Sequence, residues 1–226
     1  MAIKAVLFDL DNTLYDFNSA HKQALRAMAE YGQSRFDQPA CNFLLAYKEA
    51  DQQLKTELPF VAACHNRLLI AQRMLELLEL PSIVTPLELY EIYWGTFLRV
   101  IKPYPGAMEV LAHLHNNGVR TGICTDMTAH IQHRKLAALG FSTYLDAMVS
   151  SEEAGVEKPN PKIFHQCLRK LKVEPQQALF IGDSFERDVC GAHAAGIIPF
   201  WLNTENRPAP QANFPYKELH SIHELL

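Results

Sequence analysis

Two carboxylates close the first apolar run of the chain, and their type and spacing suggest chemistry. The run Ala5–Phe8 leads directly into Asp9, and Asp11 follows two residues later. Strand side chains alternate, so both acids would point the same way if strand geometry continued that far. Two adjacent carboxylates repel each other unless a cation lies between them or one keeps its proton. The stretch alone is consistent with an acidic site and equally with a strand followed by an Asp-Asn turn.

Further polar residues stand at comparable points later in the chain. They are Thr125 and Asp126 after a second apolar run, Lys158 before a predicted helix, Asp183 after another apolar run, and Asp188. Each has an ordinary explanation when taken singly, as a helix cap, a solvated lysine or a first-turn acid. The carboxyl ends of parallel strands meet at one edge of a sheet. We therefore expect these residues to converge with the first two carboxylates.

The elements that would position these residues alternate between strand and helix. Apolar runs separated by helical patterns indicate a parallel sheet covered by helices on both faces. The predicted strands are 5–8, 120–124, 147–149, 178–181 and 197–202. The predicted helices are 107–116, one that follows Asp126 and ends at about residue 139, 160–171, 186–195 and 220–226.

A helical insertion interrupts this alternation after the first strand. Residues 18–102 have apolar residues at helical spacing, which predicts about four helices. The chain is thus divided into an α/β catalytic core, residues 1–15 and 103–226, and an inserted helical cap, residues 16–102. A cap inserted at this point would lie above the Asp9 strand end, where it could exclude water and hold part of a substrate.

Composition limits the partners of this chain. Its 226 residues are 48% hydrophobic, enough for a sizeable core, and its formal charge is −4. That charge gives no electrostatic reason to expect nucleic acid or an anionic membrane. No apolar run has signal-peptide or transmembrane character. Five widely spaced cysteines without a Cys-x-x-Cys pair predict reduced thiols and a cytoplasmic setting.

These motifs, in this order, resemble those of the haloacid dehalogenase-like (HAD) superfamily. The resemblance extends over essentially the whole chain and implies a three-layer, Rossmann-like α/β core with an inserted helical cap of the C1 type. Residues 151–164 and 201–203 further resemble the branch that contains pyrimidine nucleotidases and N-acylneuraminate phosphatases. The implied partner is a small phosphorylated metabolite, such as a nucleotide or a sugar phosphate.

The resemblance also implies roles for individual residues. Asp9 would be the nucleophile that forms an aspartyl-phosphate, and Asp11 the general acid and base. Thr125 would bind the phosphoryl oxygens, and Lys158 would neutralise charge on the five-coordinate phosphorus. The resemblance assigns Asp126 to the substrate-binding region.

A magnesium ion is the cofactor that the resemblance implies. Its protein ligands would be the carboxylates of Asp9 and Asp183 and the backbone carbonyl of Asp11, all hard oxygen donors of the kind that Mg²⁺ prefers. Asp188 would support the metal site from behind or through water. The dehalogenases of the superfamily lack an aspartate at the Asp11 position and need no metal, so this residue favours a phosphatase.

One departure and two alternatives qualify this prediction. Many relatives have Asn where this chain has Asp126, and a carboxylate beside a phosphate site is unfavourable unless it turns away or finds a partner. The same residues would serve a phosphotransferase or phosphomutase, which returns the phosphoryl group to a sugar. A regulatory protein that binds phosphate ligands without turnover is the third hypothesis, although binding alone does not need both Asp9 and Asp11.

Overall fold

The computed structural model describes residues 2–226, which form two compact units. The first contains the residues up to Asp16 together with Lys102–Leu226, and we call it the α/β unit. The second is Phe17–Ile101, which we call the helical unit. Among residues 2–226, no helix combines the length and the apolar character that a bilayer-spanning segment requires.

The α/β unit contains a six-stranded, fully parallel sheet, which confirms the predicted fold class. The first strand of the chain lies in the middle of the sheet. Such sheets are covered by helices, and their central strands are correspondingly apolar. The strands are β1 (Ala5–Phe8), β2 (Arg120–Thr125), β3 (Ala147–Ser150), β4 (Ala178–Gly182), β5 (Ile198–Leu202) and β6 (Lys217–Leu219). Their order in the sheet is β3-β2-β1-β4-β5-β6.

Helices follow the strands in the α/β unit. The helix Pro161–Leu171 approaches the sheet closely at Gly122 of β2. A Cβ atom on Gly122 would lie 2.9 Å from the Leu171 side chain and 3.0 Å from that of Cys167, so glycine is what allows this helix to pack directly on the sheet. The five cysteines are all free, as predicted. The helices are α5 (Ala107–Asn116), α6 (Ala129–Leu139), α7 (Ser151–Ala154), α8 (Pro161–Leu171) and α9 (Cys190–Ala194).

The C-terminal part of the chain differs from the sequence prediction. The predicted closing helix over 220–226 is wrong: Lys217–Leu219 forms β6, and only Ile222–Leu225 is helical, as a short 3₁₀ turn. The polar sequence Lys-Glu-Leu has no strand signature of its own, and it is extended because it pairs with β5. The predicted helix over 186–195 begins as a π-helix, Phe185–Val189, before α9.

The helical unit consists of four α-helices around an aromatic cluster. The Phe97 ring is tilted against Phe17, with ring centroids 5.3 Å apart, and lies edge-on to Trp94 at 5.1 Å; Tyr93 also lies edge-on to Trp94, at 4.9 Å. Aromatic rings bury much apolar area with defined geometry, so this cluster stabilises the packing of the first helix of the unit against the fourth. The helices are α1 (Phe17–Phe36), α2 (Ala40–Glu57), α3 (Arg67–Leu77) and α4 (Thr85–Val100), with a short 3₁₀ helix at Ala62–His65.

We expect His21 to make the stability of the protein pH-dependent. Burial and the nearby Arg67 lower the pKa of His21 to about 4, and its Nδ1 lies 2.6 Å from the Tyr93 hydroxyl. This pKa lies below that of an unfolded histidine, so the native state binds fewer protons. Stability is therefore complete above about pH 6.5 and falls toward pH 4 by up to about 3 kcal/mol.

Urea unfolding between pH 7.5 and pH 4.5 measures this effect. His21→Asn should flatten the pH dependence, whereas His130→Asn on an exposed helix face should leave it unchanged. An equal pH dependence in the wild type and the His21 variant would show that other groups cause it.

Candidate active site

Three polar side chains converge where adjacent central strands end. Asp9 follows β1 directly, Thr125 is the last residue of β2, and Asp183 follows β4. Since β1 pairs with both β2 and β4, these strand ends lie side by side at the carboxyl edge of the sheet. This is the edge at which open α/β sheets bind ligands.

The backbone after β1 turns rather than continuing as a strand. Asp9 still donates its N–H to the Ile181 carbonyl at 2.9 Å. Leu14 N–H bonds the Leu10 carbonyl at 3.1 Å, and Asn12 has a positive φ of 61°. The condition under which both acids would point the same way, a strand that continues to Asp11, is therefore not met, because β1 ends at Phe8 and a turn follows.

Lys158 joins two carboxylates from different parts of the chain. Its Nζ donates to Asp9 Oδ1 at 2.6 Å and to Asp188 Oδ1 at 2.7 Å, and all three side chains are buried. Burial opposes the charge on Lys158, yet Asp188 and Asp9 raise its pKa well above the usual value. A lysine that is unremarkable in the sequence is thus the central cation of this site.

The carboxylates outnumber the cation that binds them. Ligand oxygens of Asp9, Asp183 and Asp188 all lie within 4.8 Å of one another. Burial and repulsion from Asp188 raise the pKa of Asp183 to about 6, although attraction to Lys158 partly opposes the rise. Burial raises the pKa of Asp9 well above its usual value. The positive charge of Lys158 opposes this rise, and the neighbouring acids add to it. Hard oxygen donors with excess negative charge fit a divalent cation such as Mg²⁺.

The β4 end leaves space for this cluster. A Cβ atom on Gly182 would lie 2.6 Å from the Cβ of Asp188, closer than real carbon atoms approach. The Asp183 N–H donates to Thr13 Oγ1 at 3.2 Å, and its carbonyl accepts from Trp201 Nε1 at 3.0 Å and Arg207 Nη2 at 2.6 Å. Backbone bonds therefore fix Asp183, while its carboxylate stays available to the acid cluster.

Thr125 is buried and held by a residue that the sequence analysis missed. Gln132, on α6, donates from Nε2 to Thr125 Oγ1 at 2.7 Å and to the Asp126 carbonyl at 2.8 Å. The side chain of Gln132 is fully buried. Because the amide donates to it, the threonine oxygen has a fixed orientation at the end of β2.

Asp126 has two hydrogen-bond donors, which a carboxylate at this position needs. Its Oδ1 accepts the backbone N–H of Lys158 at 3.0 Å, and its Oδ2 accepts from Arg187 Nη1 at 3.3 Å. Burial raises the pKa of Asp126, and Lys158 opposes the rise. The carboxylate thereby anchors the segment that presents Lys158.

Asp11 has its own cation, which the sequence analysis also missed. Lys135 Nζ donates to both Asp11 oxygens, at 2.8 and 2.7 Å, and the Tyr15 hydroxyl donates to Oδ1 at 2.5 Å. Lys135 is fully buried, and 124 residues separate it from Asp11. A sequence signal was present, since Lys135 stands four residues from both Ile131 and Leu139 on the buried face of α6.

A parallel sheet with five acids and two buried lysines at its carboxyl edge defines the class: an α/β protein with an acidic site that fits a divalent cation. The haloacid dehalogenase-like hydrolase family model matches residues 3–196. The chain therefore belongs to this hydrolase family, as its motifs predicted.

Its relatives include several phosphatases. A ribulose-1,5-bisphosphate 5-phosphatase from Halopiger xanaduensis is 36% identical over 85% of this chain and 82% of its own. A glyceraldehyde 3-phosphate phosphatase from Methanopyrus kandleri is 34% identical over 99% and 96%. A pyrimidine 5'-nucleotidase from Escherichia coli is 34% identical over 63% of each chain.

A solved structure shares the fold along the full chain. A HAD hydrolase from Bacillus subtilis, bound to magnesium, is 23% identical, covers 100% of this chain and 97% of its own, and superposes with a TM-score of 0.74. At this identity the likeness supports the fold alone.

Proposed function

We propose that this protein is a magnesium-dependent phosphatase that hydrolyses small phosphate monoesters through an aspartyl-phosphate on Asp9. The observation that carries the proposal is the convergence of Asp9, Lys158, Asp183 and Asp188 at one strand edge. The phosphatases among the relatives support the same reaction class.

Asp9 is the nucleophile in this mechanism. Its carboxylate attacks phosphorus, the bond from phosphorus to the ester oxygen breaks, and the alcohol leaves. Lys158, 2.6 Å from Asp9, orients the attacking oxygen and supplies positive charge where the phosphoryl group becomes more negative. Thr125, fixed by Gln132, lies at the neighbouring strand end to bind the phosphoryl oxygens.

The residues that would hold Mg²⁺ are the carboxylates of Asp9 and Asp183 and the Asp11 carbonyl, with Asp188 in support. When bound, the ion supplies positive charge that offsets repulsion between the nucleophile and the phosphate. Asp188 keeps Lys158 directed at Asp9, since the lysine bridges the two acids.

Asp11 moves the protons. It donates a proton to the departing ester oxygen, and it then removes one from the water that attacks the aspartyl-phosphate. Water thus replaces the alcohol on phosphorus, inorganic phosphate leaves and Asp9 is regenerated. Lys135 and Tyr15 hold the Asp11 carboxylate in place, which makes them positioning residues for proton transfer.

The substrate class is small phosphorylated metabolites of the sugar or nucleotide type. Relatives that match most of the chain have names that specify a sugar bisphosphate and a triose phosphate, and one shorter match specifies a pyrimidine nucleotide. These compounds share a phosphomonoester on a small polar alcohol, which is the bond that the proposed site would cleave.

Phosphate release from a panel of such esters tests the proposal. We expect turnover with Mg²⁺, a loss of at least about 100-fold in EDTA, and recovery when excess Mg²⁺ is restored, because the acid cluster needs a cation to accept a phosphate dianion. Isomerised ester without free phosphate would indicate a mutase, and saturable binding without turnover a regulatory protein. Full activity in EDTA would contradict the metal assignment.

A further inference from the structure

Arg67 is a buried cation in the helical unit that has no role in the proposed phosphatase mechanism. It is the first residue of α3 and is only 8% exposed. It makes no ion pair with a carboxylate among residues 2–226. The negative charge of Asp51 favours the charged form of Arg67 from a distance, but the Asp51 carboxylate itself forms an ion pair with Lys55 Nζ at 2.6 Å. Burying a guanidinium without an acidic partner is unfavourable, so its retention calls for an explanation.

The contacts of Arg67 satisfy some of the N–H groups of its guanidinium but not all of them. Nη1 donates to the His65 carbonyl at 2.9 Å. Nε is buried and has no hydrogen-bond partner. The guanidinium carbon lies 5.6 Å from the centre of the Tyr93 ring, which is a cation–π distance.

A second buried polar group without a partner lies in the same part of the helical unit. The hydroxyl of Tyr47 is buried and makes no hydrogen bond. A chain of contacts connects Tyr47 with Arg67: the His21 ring lies 5.9 Å from that of Tyr47 and 5.8 Å from that of Tyr93, and Tyr93 is the ring that the Arg67 guanidinium contacts. Buried donors are almost always satisfied in native proteins, so each of these two donors calls for an acceptor.

We propose that Arg67 and Tyr47 form an anion-binding site within the helical unit, which takes a carboxylate or a phosphate group of a small molecule. Guanidinium N–H groups match two oxygens of such a group, and a phenol O–H adds a third donor. The aromatic surroundings lower the local dielectric and strengthen these bonds.

The anion belongs either to the ester that the enzyme hydrolyses or to a separate small molecule. In the first case, which rests on the proposed function, the preferred substrates carry a second anionic group beside the scissile phosphate. Matched pairs of esters separate the cases: glycerol 3-phosphate against 3-phosphoglycerate, and ribose 5-phosphate against ribose 1,5-bisphosphate.

The kinetic arm compares kcat/KM for each pair in the wild type, Arg67→Met, Tyr47→Phe and Arg73→Met. Arg73 lies on the same helix and pairs with Glu57 at the surface, so its variant is the matched control. If the anion is part of the substrate, the doubly anionic ester should be preferred by about 10- to 100-fold. Arg67→Met should remove that preference mainly through KM, Tyr47→Phe should reduce it, and Arg73→Met should keep it.

The binding arm measures the rise in Tm caused by succinate and by inorganic phosphate, each in EDTA. A rise that Arg67→Met and Tyr47→Phe reduce and Arg73→Met keeps supports the site even without ester preference, and it identifies a free anion. This arm needs no turnover, so it decides the site even if the chain releases no phosphate. The proposal is overturned if the Arg67 and Tyr47 variants match the wild type in both arms.

Discussion

Replacing Asp9 with Asn is expected to abolish phosphate release, lowering kcat by at least about 10³-fold. The amide has nearly the same size as the carboxylate but cannot act as the attacking oxygen. Lys158 would still bond Asp188 at 2.7 Å, so the buried lysine keeps an acidic partner. The loss should therefore appear in activity, with the folded structure intact. Phosphate release at saturating ester and Mg²⁺ measures it.

Two further measurements make the Asp9 result specific. Acid quenching during turnover should trap protein-bound phosphate in the wild type and none in Asp9→Asn. Asp37→Asn, at an exposed position of the helical unit, should retain wild-type activity and serves as the matched substitution. Activity within tenfold of the wild type in Asp9→Asn would exclude Asp9 as the nucleophile.

Replacing Lys158 with Met should reduce both activity and stability. Loss of the ammonium leaves Asp9 and Asp188 buried together without their shared cation. Removing one partner of a buried ion pair typically costs about 3–5 kcal/mol. Because the Asp9 pKa is already raised, protonation relieves the repulsion at low pH, and the penalty should grow as the pH rises. Activity should fall by about 10³-fold, since charge stabilisation at phosphorus is lost.

Urea unfolding of metal-free protein at pH 5 and pH 8, with and without added Mg²⁺, measures the stability effect. Mg²⁺ should stabilise Lys158→Met more than the wild type, because a cation then replaces part of the missing charge. Lys162→Met, at an exposed position in the first turn of α8, is the matched control and should behave like the wild type. Unchanged stability of Lys158→Met at pH 8 would show that the ion pair is not formed in solution.

The central strands and the acids at their ends could be predicted from the sequence alone. A short apolar run followed by Asp9 specifies both a buried strand and the place where it stops, because each signal is local. The same holds for Asp183 after β4 and for Thr125 at the end of β2. Parallel pairing then requires these strand ends to share an edge, so their convergence follows from fold class.

Other features depend on partners far away in the sequence. Lys135 and Gln132 are polar residues of α6, and only the tertiary structure shows that their partners are Asp11 and Thr125. The residues of β6 have no strand preference of their own, and they are extended because they pair with the edge of the sheet at β5. Asp126 appears unfavourable beside a phosphate site until the fold brings it to the Lys158 backbone.

The sequence by itself determined the family, the fold class and the acids of the candidate site, because strand patterning and motif order are properties of neighbouring residues. The tertiary structure alone decided which cation serves which carboxylate: Lys158 for Asp9 and Asp188, and Lys135 for Asp11. The reason is electrostatic. Buried charges are stable only when an opposite charge or a hydrogen-bonding group lies within a few ångströms, and the path of the folded chain sets those distances.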